Sequence, residues 1–279
     1  MKKNALLTCV TLVIFNVAFG QSKEKIKGSK NVITQNYSID DFNRIAVDEK
    51  FKIDLIEGSQ AAVFIEADDN LHDVIKFNVV DSTLYFDTTH RITTSKKINI
   101  KVTYTKALKH IETIEDGEIS SLTSIDLDEL LLVHSGTSRA FLNIKTPKFK
   151  LINSDRAKIK LNVTTKLASL ELNDNSRIEA LFQVDSMQVD LYQRSDAKIE
   201  GNVNYLNIRA DNSSNFVGKN FTSTTCEVIT DLNCDVYIQV LENLTIEASG
   251  NSEVYIYDNP KIALNKFVDS AKLHKKELK

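Results

Sequence analysis

Hydrophobic and polar residues alternate along most of the chain, and over residues 130–257 the alternation repeats in phase. Seven copies of one short unit follow one another: alternation, a polar corner, a small residue, alternation again. The small residues are Ser138, Ala157, Ser176, Ala197, Ser214, Cys234 and Ser252, separated by 19, 19, 21, 17, 20 and 18 residues, an average of 19. Six positions before them stand Leu132, Leu151, Leu170, Leu191, Ile208, Val228 and Ile246. Two positions after stand Ala140, Ile159, Ile178, Ile199, Phe216, Val236 and Val254. Steps of two keep such residues on one face of a strand, so one face is buried and the other is wet. A period near 19 is too short for a strand plus a crossover helix. It fits two or three short strands wound into one coil. Neighbouring coils would pair in parallel about 4.8 Å apart, and their stacking would bury the face that no single unit can bury alone. The expected fold is all-β: a single-domain parallel β-helix-like solenoid of about seven coils averaging 19 residues, preceded by an N-terminal β-rich capping region.

Ahead of the repeats, alternation at residues 42–47, 51–55, 61–67, 77–79, 84–86 and 98–102 reads as strands, with Asp81-Ser82 as a turn. Leu71, Val74 and Ile75 read as one helical turn, and residues 108–125 as an imperfect entry coil. The expected organisation is a signal peptide at 1–20, a flexible polar leader at 21–41, a β-rich half at 42–129 and a coiled repeat half at 130–258. A C-terminal cap and basic tail at 259–279 would end the chain, with Ile262, Leu264, Phe267 and Val268 covering the last coil and residues 272–279 frayed.

Composition sharpens this picture. Only 2 prolines interrupt the 279 residues, which suits long strand ladders in which each N–H is needed. A net charge of −3 gives no reason to expect nucleic acid as a partner. Lys2 and Lys3, the apolar run at 5–19 and Ala18-Phe19-Gly20 read as a secretion signal cut before Gln21, which implies export and no permanent membrane span. Cys9 would leave with the signal. Export permits a disulfide between Cys226 and Cys234, and two buried fillers fit their columns equally well. The five histidines form no cluster and no cysteine has metal-site spacing, so no metal or cofactor is expected.

Two outward features are candidates for contact. Arg139, Lys158, Arg177 and Lys198 follow the small residue in four successive units, and Asn215, Asp235 and Glu253 follow it in the next three. In register they would make a basic ladder that turns acidic, read either as a charge-balanced wet face or as a groove for an acidic glycan or partner protein. Tyr192, Tyr205, Tyr237, Tyr255 and Tyr257 lie at or near outward positions, where rings serve as contacts or simply suit strands. Asp155, Asp174 and Asp196 are the carboxylates a glycoside hydrolase would need to pair across coils. Regular polar corners produce the same pattern, and no hydrolase, P-loop or dinucleotide motif accompanies them.

The stretches "FNRIAVDEKFKIDLIEGSQAAVFIEADDNLHDVIKFNVVDSTLYF" (42–86) and "TSKKINIKVTYTKALKHIETIEDGEI" (94–119), with the later repeats, resemble the auto-transporter adhesin head GIN domain family over roughly residues 42–258. The resemblance implies an exported bacterial protein with a β-helix-like fold, and it carries no catalytic residues across. Glycine-rich corners common in that family are approached here only by "HSGTSRA" (134–140) and "ASGNSEV" (248–254). The functional expectation is an exported, non-catalytic surface interaction protein, its partner a surface glycan or an envelope or matrix protein. The alternatives are a glycan-binding or polysaccharide-processing protein and an envelope structural protein.

Overall fold

The computed structural model of the protein describes residues 23–48 and 50–277, so the expected signal peptide lies outside the described residues. The chain opens with β1 (Lys25–Lys27), β2 (Val32–Ser38), β3 (Arg44–Val47), β4 (Lys52–Glu57) and β5 (Ala62–Asp68). After a 3-10 turn at Asp69–Leu71 come β6 (Ile75–Val80), β7 (Thr83–Thr88), β8 (Arg91–Thr94) and β9 (Ile98–Tyr104). β10 (His110–Thr113), β11 (Glu118–Ser121), β12 (Ile125–Asp126) and β13 (Glu129–His134) lead into the long strands. These are β14 (Arg139–Asn153), β15 (Lys158–Leu172), β16 (Arg177–Leu191), β17 (Asp196–Ala210), β18 (Asn215–Thr230) and β19 (Asp235–Ala248). The chain closes with β20 (Glu253–Tyr257), β21 (Lys261–Phe267) and β22 (Lys272–Lys275).

The fold is an all-β solenoid of about nine turns, with N-terminal capping strands. β14 to β19 pair in parallel, each with the next, and each long strand supplies two arms of a coil. The ladder of β14–β17 skips one residue in mid-strand (Pro147, Lys166, Asp185, Asn204), which marks the bend between the arms. A four-residue corner then leads to the next coil. Inward residues stack in columns. Leu132, Leu151, Leu170, Val189, Ile208, Val228 and Ile246 are each 0% exposed. Burying a side chain of this size contributes about 1.5–3 kcal/mol, so the stack is the main source of cohesion.

Each corner from one coil to the next after β10 turns on a left-handed residue: Glu115, Gly136, Asp155, Asp174, Gln193, Asn212, Leu232, Gly250 and Asp269, with φ from 51° to 69°, and Ser213 beside Asn212 is left-handed too. That conformation costs an ordinary L-residue about 1–2 kcal/mol, and Gly and Asn/Asp least. At Gly136 a Cβ would also sit 2.7 Å from the Glu115 backbone. Aspartates compensate by bridging coils: Asp155 Oδ2 accepts from Gly136 N at 2.8 Å, and Asp269 Oδ2 accepts from Gly250 N at 3.1 Å. The corners that lack glycine therefore keep the same geometry with a different chemistry.

Two positions past each left-handed residue the chain re-enters the core, and only small side chains fit. The column is Ser138, Ala157, Ser176, Ser195, Ser214, Cys234 and Ser252, none more than 1% exposed. Ser195 therefore stands where the repeat pattern picks Ala197, which belongs one inward position later, in register with Ile178. Near the start of the stack the core is polar. The Thr113 hydroxyl meets His134 Nδ1 inside the coil, and burial pushes the His134 imidazole down to about 3, so it is neutral.

The first two coils do not follow one another in sequence. β3 and β4 pair in parallel with β10 and β11, although residues 58–107 intervene. That insertion makes the cap. β7 and β9 extend the parallel ladder beneath β3 and β4, and β5, β6 and β2 then run antiparallel and close it. Asp81 and Ser82, with φ of 47° and 57°, form the two-residue turn between β6 and β7 that both-positive φ values favour. The flexible leader expected at residues 21–41 is instead ordered sheet over much of its length. β2 pairs with β5 from Val32↔Asp68 to Ser38↔Ala62, and β1 pairs with β8. The tail expected to fray at 272–279 begins as a strand, β22 lying on β20, while β21 lies on β19 over the last long coil as expected for residues 262–267.

Candidate binding surfaces

Register decides which outward residues share a row. Arg139, Lys158 and Arg177 open β14, β15 and β16 and lie side by side, all exposed. The next rung is Asp196, followed by Asn215, Asp235, Glu253 and Lys272. Lys198 is not part of this row. It lies two residues further along, beside Glu179 and Lys160, because the corner before it is placed by Ser195. The basic ladder therefore has three members. Among the described residues these three make no ion pair, whereas the rung before them, Glu118, is held by Lys52 at 3.4 Å. In the neighbouring row Lys160 pairs with Glu179 at 3.0 Å. The two rows thus differ locally: opposite charges alternate at Lys160 and Glu179, whereas in the other row three cations stand together before Asp196 and the later carboxylates follow.

The row of Lys198 ends in aromatics. Tyr237 stacks on Tyr255 with ring centres 4.3 Å apart, and Tyr255 on His274 at 4.6 Å. The Tyr255 hydroxyl donates to Glu253 Oε2 at 2.6 Å, and Glu253 Oε1 accepts from Lys272 at 2.7 Å. The Lys272 and Tyr255 hydrogen bonds outweigh the effect of burial and hold the Glu253 carboxyl down at about 2. Both faces of the Tyr255 ring are already taken, so this cluster clasps the last coil. His274 is absent from the candidates named by sequence, although it stands one coil after Tyr255. Tyr192 is half-buried with the Arg209 guanidinium 6.0 Å from its ring centre. Tyr205 differs: it is 65% exposed.

Tyr205 directly follows Asn204, which lines a shallow depression of about 430 Å³ at the bend of β15–β17. Thr164, Gln183 and Asn202 form one row across it, in register and exposed, over a floor of Thr165, Val184 and Val203. Runs of Thr, Gln and Asn are ordinary on a wet strand face, so alternation alone could not single them out.

The remaining candidates take structural places. Cys226 and Cys234 are free and buried, the second of the two alternatives their positions allow, and no disulfide joins them. Cys226 fills the column of Leu206 and Leu244, and Cys234 fills the corner column. Burial raises both thiols above their ordinary range. Asp174 Oδ2 accepts from Asp155 N at 3.2 Å, and Asp196 lies in a different row, beside Arg177. The first two carboxylates serve the backbone of the corners and the third belongs to the charged row. Among the described residues no group of three or more His, Cys, Asp or Glu is placed to hold a metal ion, and no helix is long and apolar enough to cross a membrane.

The sequence profile of the family described as "Putative auto-transporter adhesin, head GIN domain" matches residues 41–181 and 162–260. The chain belongs to this family. Solved structures agree on the fold. One described as a "putative adhesin" from Parabacteroides distasonis is 16% identical, with a TM-score of 0.61 over 91% of this chain and 100% of that one. Another of the same description, from Parabacteroides merdae, is 16% identical, with a TM-score of 0.59 over 92% of this chain and 100% of that one. A "putative lipid binding protein" from Parabacteroides distasonis is 15% identical, with a TM-score of 0.55 over 91% and 100%. Likeness at these identities carries the architecture alone. Among curated proteins none matches the chain.

Proposed function

We propose that the protein is an exported, non-catalytic interaction protein of the adhesion type, and that its Arg139–Lys158–Arg177 row engages an anionic surface polymer, an acidic glycan being the fitting class. The observation that carries this reading is that, among the described residues, three stacked cations make no ion pair, beside a row in which Lys160 and Glu179 pair. Rungs of a parallel ladder are about 4.8 Å apart, where like charges in water repel by roughly 1 kcal/mol per pair. An anionic chain lying along the solenoid axis would relieve that repulsion at each rung. Lys2, Lys3 and the apolar run after them support export, and family membership supports an adhesive role.

The test compares polygalacturonate with uncharged dextran on the immobilised mature protein. Polygalacturonate should bind, weaken as salt rises and lose at least about tenfold in affinity in the R139E/K158E/R177E variant. Equal binding by that variant would overturn the reading. Release of reducing ends from the polymer would favour the polysaccharide-processing alternative.

A further inference from the structure

A second surface differs in chemistry from the basic row. It lies at the bend of the coils, where Thr164, Gln183 and Asn202 face outward on successive rungs about 4.8 Å apart. From Arg177 to Gln183 is six residues of extended strand, so the two surfaces are roughly 20 Å apart along each coil. The bend residues Asp185 and Asn204 line the same depression. Among the described residues, none of these five side chains makes a hydrogen bond within the protein. Tyr205 comes one residue past Asn204, opposite Ser186 in register and 65% exposed, and no other ring or cation among the described residues stacks on it.

The backbone is shaped here as well. Gly201, directly before Asn202, has φ of 114°, and a Cβ there would stand 2.0 Å from the Phe182 carbonyl oxygen. Only glycine lets β17 approach β16 so closely at the edge of the depression.

We infer that this bend is a binding site for a neutral oligosaccharide, with Tyr205 stacking on a sugar ring and the Gln183, Asn202 and Asn204 amides taking its hydroxyls. Each amide offers two donors and an acceptor, the complement of neighbouring hydroxyls on a pyranose. An aromatic ring with a free face supplies the apolar half of the contact. A rung spacing of about 4.8 Å is close to the length of one sugar unit, so a chain along the solenoid axis would meet one amide row position per unit. The volume lies within the range of about 300–1,000 Å³ usual for ligand sites, and the shallow open shape suits a chain lying across it.

The mature protein, titrated by calorimetry and saturation-transfer NMR with cello-, xylo-, manno- and malto-oligosaccharides, tests this site. At least one series should bind, with affinity unchanged at high salt. Tyr205→Ala should weaken it at least about tenfold, Tyr205→Phe should retain it, and the Gln183→Ala/Asn202→Ala pair should weaken it similarly. All these positions are exposed, so the variants should fold, which circular dichroism checks. No binding by any series, or unchanged affinity in Tyr205→Ala, overturns the inference. The R139E/K158E/R177E variant should bind neutral sugar like the parent. Loss of neutral-sugar binding in that variant would overturn the assignment to the bend. Neither outcome depends on polygalacturonate binding, so the two sites can fail separately.

Discussion

Ile65 in β5 is 0% exposed within the antiparallel cap, whereas Ile262 in β21 is 47% exposed at the opposite end of the same sheet. Both side chains point along the inward column of a terminal layer. The N-terminal layer is closed because the chain reverses direction: β5, β6 and β2 run antiparallel and seal the parallel ladder. The C-terminal layer only continues the ladder. Ile262 and Leu264 lie over Leu244 and Ile246, cover them to 1% and 0% exposure, and are themselves left uncovered. The clasp of Tyr237, Tyr255, His274, Glu253 and Lys272 does there what the buried cap does at the other end. A repeat stack can therefore be ended by topology or by side chains. Only the first way buries the last core.

The largest expected difference is between matched truncations. Ile65→Ala should cost about 2–5 kcal/mol, the range for a fully buried large-to-small change. Ile262→Ala should cost less than about 1 kcal/mol, since half of its surface is already in water. Urea unfolding of both variants measures this, and equal losses would break the contrast. The next effect centres on Asp68, which is 0% exposed and accepts from the backbone N–H groups of Lys30, Lys96 and Lys97 at 3.0 to 3.2 Å. Burial alone would raise its pKa, but those donors outweigh it and hold the carboxyl below its ordinary range. Asp68→Asn should speed amide exchange across β1, β2 and the segment leading into β9, with β21 unchanged. Exchange that rises at both ends would show that the cap does not act locally.

The same two ends mark what the sequence reveals and what it hides. Large inward residues recurring in phase, such as Leu151 and Leu170, make the coil legible, because only one face of each strand is buried. Phase is harder to read where two small residues stand two apart. Ser195 and Ala197 are both buried on one face, and taking the wrong one moves Lys198 into a row it does not occupy. β2 and β22 have few large apolar residues because edge strands are held by backbone pairing more than by burial, so each reads as a loose end. Of the candidate surfaces, the basic row is legible in all three of its members, with Lys198 wrongly added as a fourth. The bend site is not, because its Thr, Gln and Asn acquire meaning only when the register sets them beside one another and beside an uncovered tyrosine.

Acid should separate the ends more gently. Glu253 is held down at about 2 in the folded protein by Lys272 and Tyr255, against about 4.3 for an unfolded chain. A depressed carboxyl contributes stability above its unfolded value and loses it as pH falls through the folded one. The clasp should therefore loosen from roughly pH 4.3 down to about 2. Glu253→Gln should bring that loosening to neutral pH, read as faster amide exchange in β22 than in β20. If the exchange of β22 stays unchanged in Glu253→Gln, core contacts through Leu273 hold that strand and the clasp is incidental.

The smallest expected effect on stability concerns Lys275. It continues the inward column of Ile238 and Ile256, yet it carries a charge and stays exposed. A charge on an inward position of an edge strand discourages another strand from adding to it, which a capped end does not require. Lys275→Ile would complete an apolar row with Ile262 and Leu264 at the open layer while removing little from the fold, since the lysine side chain is held only through its amine at the Asp258 carbonyl. The expected result is a near-unchanged unfolding midpoint together with a higher mass by light scattering than the parent shows at the same concentration. A mass equal to the parent's would mean that β21 and its own lysines already keep the edge solitary. The contrast between the ends would then rest on burial alone, with no part for edge protection.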